Sequence, residues 1–61
     1  MTTELIQELV GLAGFKGLVS HRWNRLITVS NYLLRINIVI DLADEDAPAQ
    51  LQAAIDRIKS L

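Results

Sequence analysis

The sequence contains no cysteine, and this absence excludes disulfides and zinc sites built from thiolates. It also has a single histidine, which is too few for a histidine-rich metal site within one chain. A chain of 61 residues buries only about 60% of the surface that its unfolded form exposes. Small domains usually compensate with disulfides, a metal ion or oligomerisation. We therefore expect self-association or an unusually efficient core, and no cofactor.

Aromatic residues are also scarce, with one Phe, one Trp and one Tyr, whereas 51% of the residues are hydrophobic. The interior of such a small domain cannot hold that many apolar side chains. Some of them should remain outside as a mainly aliphatic surface, and large exposed apolar patches usually mark interfaces. The composition therefore also favours self-association.

Acidic residues are missing from the middle of the chain. The formal net charge is only −1, so bulk charge favours neither nucleic acid nor a membrane. Between Leu9 and Ile40, however, every charged residue is basic. These cations are Lys16, Arg22, Arg25 and Arg35, with His21 beside them. Acids flank this span at Glu4, Glu8, Asp41, Asp44, Glu45 and Asp46. The simplest interpretation is charge balance within one fold.

The sequence also lacks the positively charged start of a secretory signal, since Glu4 and Glu8 stand there instead. Together with the absence of cysteine, this predicts a cytoplasmic protein. The range 26–43 is apolar enough to raise the question of a membrane span. Polar residues interrupt it at Asn31, Arg35, Asn37 and Asp41. A spanning helix tolerates such residues poorly, so we expect no membrane span.

Hydrophobic spacing predicts a helix near each end of the chain. The helix over 3–13 has its apolar stripe at Leu5, Ile6, Leu9, Leu12 and Ala13. The helix over 47–60 has its stripe at Leu51, Ala54, Ile55 and Ile58. Asp46 is the expected N-cap of this second helix, and Pro48 fits its first turn.

A third helical pattern covers 18–27, where one face would carry Val19, Trp23, Leu26 and Ile27. The β-branched residues of 26–29 leave a short strand open as an alternative for that part. The range 32–42 alternates with period two, which predicts a strand. Its aliphatic face would carry Leu34, Ile36, Ile38, Ile40 and Leu42. Its other face is polar except for Val39.

A strand of this length needs a neighbour for its backbone N–H and C=O groups. The only other strand candidate, 26–29, is short, and Ser30 and Asn31 would have to form the turn between them. A copy of the same strand from a second chain would cover it fully across a two-fold axis. We therefore predict a single α+β domain, helix–helix–strand–helix, whose strand pairs across a homodimer. An α-β-β-α fold with a short hairpin and an all-α bundle are the alternatives.

Glycine recurs at every third position, at Gly11, Gly14 and Gly17. A glycine-rich corner over 11–17 would turn the chain sharply between two helices, with Phe15 anchoring it to the core. The stretch Gly14-Phe15-Lys16-Gly17 also resembles the G-x-x-G loop of KH domains, which joins two helices and lets a nucleic-acid backbone approach closely. That resemblance implies nucleic-acid binding. In the resemblance Lys16 is the basic residue of the loop, and Arg22 and Arg25 add phosphate contacts. The nucleic-acid alternative as a whole adds Arg35 to these expected contacts.

Candidate catalytic groups are few. Ser20 and His21 are sequence neighbours, so on a helix they would point in different directions and form no nucleophile–base pair. The acidic run over 41–46 lacks the glycine and the ligand spacing of a calcium loop. We therefore expect neither an enzyme nor a metal site.

The prediction that remains is a non-catalytic protein-interaction module, a small regulator, adaptor or inhibitor that acts as a homo-oligomer. Trp and Arg often carry the binding energy of interfaces. The predicted partner-binding residues are His21, Arg22, Trp23, Arg25, Arg35 and Asn37. Nucleic-acid binding is the alternative function. A membrane-surface amphipathic segment over 3–19 is a further, less favoured alternative.

Overall fold

The chain folds as a helix, an antiparallel three-stranded sheet and a second helix, in a computed structural model that describes residues 2–61. In chain order the elements are α1 (Thr2–Phe15), β1 (Val19–Trp23), β2 (Leu26–Asn31), β3 (Ile36–Asp41) and α2 (Ala47–Lys59). The strands lie in the order β1-β2-β3, so each one pairs with its neighbour in sequence. The α+β class is as predicted, and the all-α alternative is wrong.

The predicted helix over 18–27 is wrong, because this segment forms β1, a tight turn and the start of β2. Trp23 pairs with Leu26 across the turn, and Asn24 there has a φ of 57°. Asn is one of the few residues that tolerate this left-handed conformation. In β2 the buried residues Ile27 and Val29 alternate with half-buried ones, which is the period of a strand. The helical spacing of apolar residues in this segment was coincidental.

The predicted strand over 32–42 is shorter than expected, since β3 begins only at Ile36. Residues 32–35 form the turn before it, where the N–H of Arg35 donates to the carbonyl of Tyr32 at 3.2 Å. Arg35 has a φ of 56°, which a continuing strand would not allow. The predicted turn at Ser30 and Asn31 is therefore also wrong, and both residues belong to β2.

β3 finds its partner within the chain. It pairs with β2 along its whole length, from the Asn31–Ile36 pair to the Leu26–Asp41 pair. The backbone of β3 therefore does not require a second chain, contrary to the prediction, because β2 extends to Asn31 and not only over 26–29. The α-β-β-α alternative had this hairpin in outline but lacked β1.

The glycine-rich corner is reduced to one residue. Gly11 and Gly14 lie inside α1, and only Gly17 has a positive φ, at 80°. The N–H of Leu18 donates to the carbonyl of Ala13 at 2.7 Å, and that of Gly17 donates to the carbonyl of Gly14 at 3.2 Å. These bonds form a Schellman motif, in which glycine is the preferred residue at the left-handed position. Because a strand follows rather than a helix, the helix–loop–helix arrangement implied by the KH-like motif is wrong.

Both helices pack on the same face of the sheet, and the core lies between them. Its residues are Leu9, Ala13, Leu18, Ile27, Val29, Ile36, Ile40, Leu51, Ala54, Ile55 and Ile58. The apolar stripe of α1 thus packs against the core, with Leu9 and Ala13 buried and Leu5, Ile6 and Leu12 partly buried. Phe15 does not anchor the corner, because 85% of it is exposed. No helix within residues 2–61 is long and apolar enough to cross a membrane.

The start of α2 differs in detail from the prediction. Asp46 precedes the helix but makes no capping hydrogen bond with its side chain, and Pro48 lies in the first turn as expected. The Oδ1 atom of Asp46 instead accepts a bond from Nε2 of Gln50 at 2.9 Å. Nε2 of Gln50 also lies 3.3 Å from Oδ2 of Asp44. The acidic turn is therefore tied to the helix by Gln50.

Candidate functional site

The sheet has one face turned away from both helices, here called the outer face. Because Ile27 and Val29 are buried against the core, the residues between and beside them must point the other way. Residues paired across an antiparallel sheet share a face, so the outer face consists of cross-strand rows. The rows are Trp23–Leu26–Asp41, His21–Thr28–Val39 and Val19–Ser30–Asn37.

The outer face carries apolar side chains that no element within residues 2–61 covers. Trp23 is 73% exposed, Val19 67%, Val39 55% and Leu26 39%. They surround a polar centre formed by His21 and by half-buried Thr28 and Ser30. An aromatic and aliphatic surface with polar residues interspersed has the composition of a protein interface.

The structure brings together only some of the predicted partner-binding residues. His21, Trp23 and Asn37 share the outer face. Arg22 lies in the row of Ile27, on the opposite side of the sheet, although it is exposed. It lines a groove between β1 and α1, and its Nε atom lies 3.4 Å from the carbonyl oxygen of Asn24. Arg22 is therefore not part of the outer face.

The remaining predicted arginines lie at opposite ends of the sheet. Arg25 stands in the β1–β2 turn, where its Nε atom is 3.4 Å from Oδ1 of Asp41 and its carbonyl accepts from the N–H of Leu42 at 2.8 Å. Arg35 stands in the β2–β3 turn, at the other end of β3. The four cations proposed for phosphate contact, Lys16 included, thus form no continuous stripe along the molecule.

β3 is an edge strand, with β2 on one side and no strand on the other within the described part of the chain. A shallow hollow of about 260 Å³ lies between it and α2. Ile38, Val39 and Ile40 line the hollow from the strand, and Gln50, Ala53, Ala54 and Arg57 line it from the helix. An extended segment of another chain could therefore hydrogen-bond to the free backbone groups of β3 and place its side chains in the hollow.

A second exposed apolar surface lies where α1 ends and β2 turns into β3. This surface, here called the hairpin end, consists of Phe15, Lys16, Tyr32, Leu33, Leu34 and Arg35. Nδ2 of Asn31 donates to the carbonyl of Gly17 at 3.1 Å, and the N–H of Leu34 donates to Oδ1 of Asn31 at 2.8 Å. Asn31 therefore holds the end of α1 and the β2–β3 turn together.

The catalytic and metal candidates gain no support from the geometry. Ser20 and His21 are successive residues of β1, so their side chains point to opposite faces of the sheet. Among residues 2–61, no group of three or more His, Asp or Glu side chains converges as a metal site would require.

Sequence reasoning missed Val19, Leu26 and Val39 on the outer face and the apolar residues of the hairpin end. Val39 gave a signal, as the one apolar residue on the polar face of its strand. Leu33 and Leu34 gave none, because an apolar run before a strand has the same composition as the strand itself.

No known protein family, curated protein or solved structure matches this chain.

Proposed function

We propose that this protein is a non-catalytic interaction module that docks on a protein partner through the outer face of its sheet. The observation that carries the proposal is the exposure of Trp23, at 73%, on a surface that also presents Val19 and Leu26. A large aromatic side chain left in water is costly unless a partner covers it for part of the time. The action would be steric, by occupying or recruiting a surface of the partner.

Trp23 is the expected centre of this interface. It stands on β1 beside the turn, and its neighbours in the row are Leu26 and Asp41. The ion pair between Asp41 and Arg25 lies next to it and supplies a polar rim. An aromatic anchor with aliphatic neighbours and charged residues at the margin is the usual arrangement of binding hot spots.

The proposal includes a homodimer, formed by antiparallel pairing of β3 with its copy. The support is that β3 offers a free edge beside a groove lined mainly by apolar residues. Pairing of two such edges about a two-fold axis would use the same surface on both chains and would form hydrogen bonds with the free backbone groups of each β3. The two sheets would then continue into each other, and both outer faces would lie on one side of the assembly.

The docking proposal is tested with Trp23→Ala and a matched control, Tyr32→Ala. Both residues are exposed aromatics, but Tyr32 lies on the hairpin end. Each tagged variant is compared with the wild type for capture of partners from the source cells, and one reproducible partner is then titrated as purified protein. We expect Trp23→Ala to weaken that binding by at least about tenfold, as hot-spot truncations do, and Tyr32→Ala to leave it unchanged.

Circular dichroism separates a binding defect from unfolding. Because Trp23 contributes only a cross-strand pair, its removal should lower the free energy of unfolding by no more than about 1 kcal/mol. An unfolded Trp23→Ala variant would make Trp23 a structural residue and remove the centre of the interface. Equal binding by wild type and Trp23→Ala would contradict docking through the outer face.

A further inference from the structure

We propose that the hairpin end attaches the protein to the surface of an anionic phospholipid bilayer. This inference does not rest on the proposed function, because the hairpin end meets the outer face only at Ser30 and Asn37, and Trp23 lies at the opposite end of the sheet. Tyr32 is 94% exposed, Leu33 88% and Phe15 85%, the highest values among the large apolar residues of the range 2–61. Leu34 is 52% exposed.

These side chains come from two segments that end at the same place. The C-terminal turn of α1 supplies Phe15, and the β2–β3 turn supplies Tyr32, Leu33 and Leu34. The hydrogen bonds of Asn31 to both segments keep them together. The hairpin end combines Leu side chains, aromatic rings and a Tyr hydroxyl, a composition that is favourable at the boundary between lipid head groups and acyl chains.

Cations accompany the apolar residues. Arg35 follows Leu34 directly, and Lys16 follows Phe15. The Nζ atom of Lys16 lies 3.2 Å from the carbonyl oxygen of Leu61, which fixes this cation beside the end of α2. Arg35 lines an open hollow of about 690 Å³, together with Asn31, Asn37 and part of the turn. That hollow offers a guanidinium and amide groups to a phosphate head group.

The distribution of charge over the molecule complements an anionic bilayer. Both segments of the hairpin end lie inside the span between Leu9 and Ile40, which has no acid. Five of the seven acids gather at the opposite end of the sheet and of α1, at Glu4, Asp41, Asp44, Glu45 and Asp46, whereas Glu8 pairs with Lys59 and Asp56 lies in the second half of α2. The length of α1, about 21 Å for its 14 residues, separates the two groups.

This separation matters because a membrane is wider than the whole protein. An anionic surface attracts the cations of the hairpin end and repels the acids at the far end, so only one orientation is favourable. In that orientation the acids at the far end are about 21 Å from the hairpin end and are screened from the bilayer by salt, so they do not oppose binding. The charges thus orient the protein so that the apolar residues of the hairpin end face the bilayer and insert into it.

The test is sedimentation with vesicles of phosphatidylcholine and with vesicles of an equimolar mixture of phosphatidylcholine and phosphatidylserine. We expect the wild type to sediment with the mixed vesicles and much less with the neutral ones, and binding to fall as salt rises. Leu33→Asp should weaken binding by at least about tenfold, since a fully buried leucine contributes at least that factor. Arg35→Asn removes one cation and should weaken it by about fivefold. Asn is chosen because it tolerates the positive φ at this position.

Trp23→Asp is the matched control, because it replaces an exposed apolar residue with the same charged one on the outer face. It should bind the mixed vesicles as the wild type does. Circular dichroism checks that all variants remain folded. Failure of the wild type to sediment at low ionic strength would overturn the proposal and assign the hairpin end to a protein partner. Equal binding to both kinds of vesicle, or an equal loss in Leu33→Asp and Trp23→Asp, would also overturn it.

Discussion

Two glycines three residues apart in the sequence have opposite roles. Gly17 has a φ of 80°, a conformation that costs other residues about 1 kcal/mol, so Gly17→Ala should lower the free energy of unfolding by about that amount. Gly14 is an exposed helical residue, and no atom lies within 4 Å of a Cβ added there. Gly14→Ala should therefore raise the free energy of unfolding by about 0.5–1 kcal/mol.

Urea denaturation of the wild type and of both variants measures these changes in the free energy of unfolding. The pair is self-controlled, because the substitution is the same and the positions are neighbours at one end of α1. A stabilised Gly17→Ala variant would contradict the Schellman motif as the reason for Gly17. A destabilised Gly14→Ala variant would contradict the assignment of Gly14 to an open position within the helix.

The sequence could not tell which glycine turns the chain. Three glycines at equal spacing at the end of a helical pattern are each compatible with a cap. One discriminating signal was present at the residue after Gly17, because Schellman motifs often place an apolar residue there that contacts the last turn of the helix. Leu18 has this role, since it is only 5% exposed and belongs to the core with Ala13.

The elements were predictable to the extent that they bury one face. α2 and β3 each have a buried side and an exposed side, so their periods of 3.6 and 2 were visible in the sequence. β1 buries neither side, since its residues are exposed except for half-buried Ser20. A strand without a buried face leaves no alternation to detect, and β1 was therefore assigned to a helix by chance spacing.

The free edge of β3 gives the prediction at the scale of elements. In the proposed dimer the two-fold axis lies at the centre of the strand and sets Val39 opposite Val39 of the second chain, because residues paired across an antiparallel sheet share a face. Val39→Lys would bring two like charges together there, which is destabilising for paired strands. We expect the wild type to have the mass of a dimer at micromolar concentration in light scattering, and Val39→Lys to shift the mass towards that of a monomer.

Val19→Lys is the control for this shift. Val19 is exposed on the same outer face, but it lies on β1, at the opposite edge of the sheet. The same substitution there adds the same charge without approaching the axis, so the dimer should persist. A wild type of monomeric mass would refute the dimer, and an equal effect of both lysines would place the contact elsewhere.

Over the whole molecule, the sequence indicated an excess of apolar surface but not its location. Composition alone predicted that aliphatic residues would remain outside, and the structure places them on the outer face and at the hairpin end. The location depends on which strands pair and where the turns fall, and these were the features that the patterns left open. Of the predicted partner-binding residues, His21, Trp23 and Asn37 share one surface because they occupy alternate positions on strands.

Because the core is small, the loss of one buried side chain should remove a large part of the stability of the protein. A domain of this length is expected to be stable by roughly 3–9 kcal/mol. Leu51 is fully buried on α2 between α1 and the sheet, and truncation of such a leucine costs about 2–5 kcal/mol because a cavity remains. Leu51→Ala should therefore lose a large part of the total stability in urea denaturation. Leu33→Ala, at a residue that is 88% exposed, should change it by less than about 0.5 kcal/mol. Similar losses in the two variants would mean that the hairpin end is packed in solution, and would contradict its assignment as a free surface.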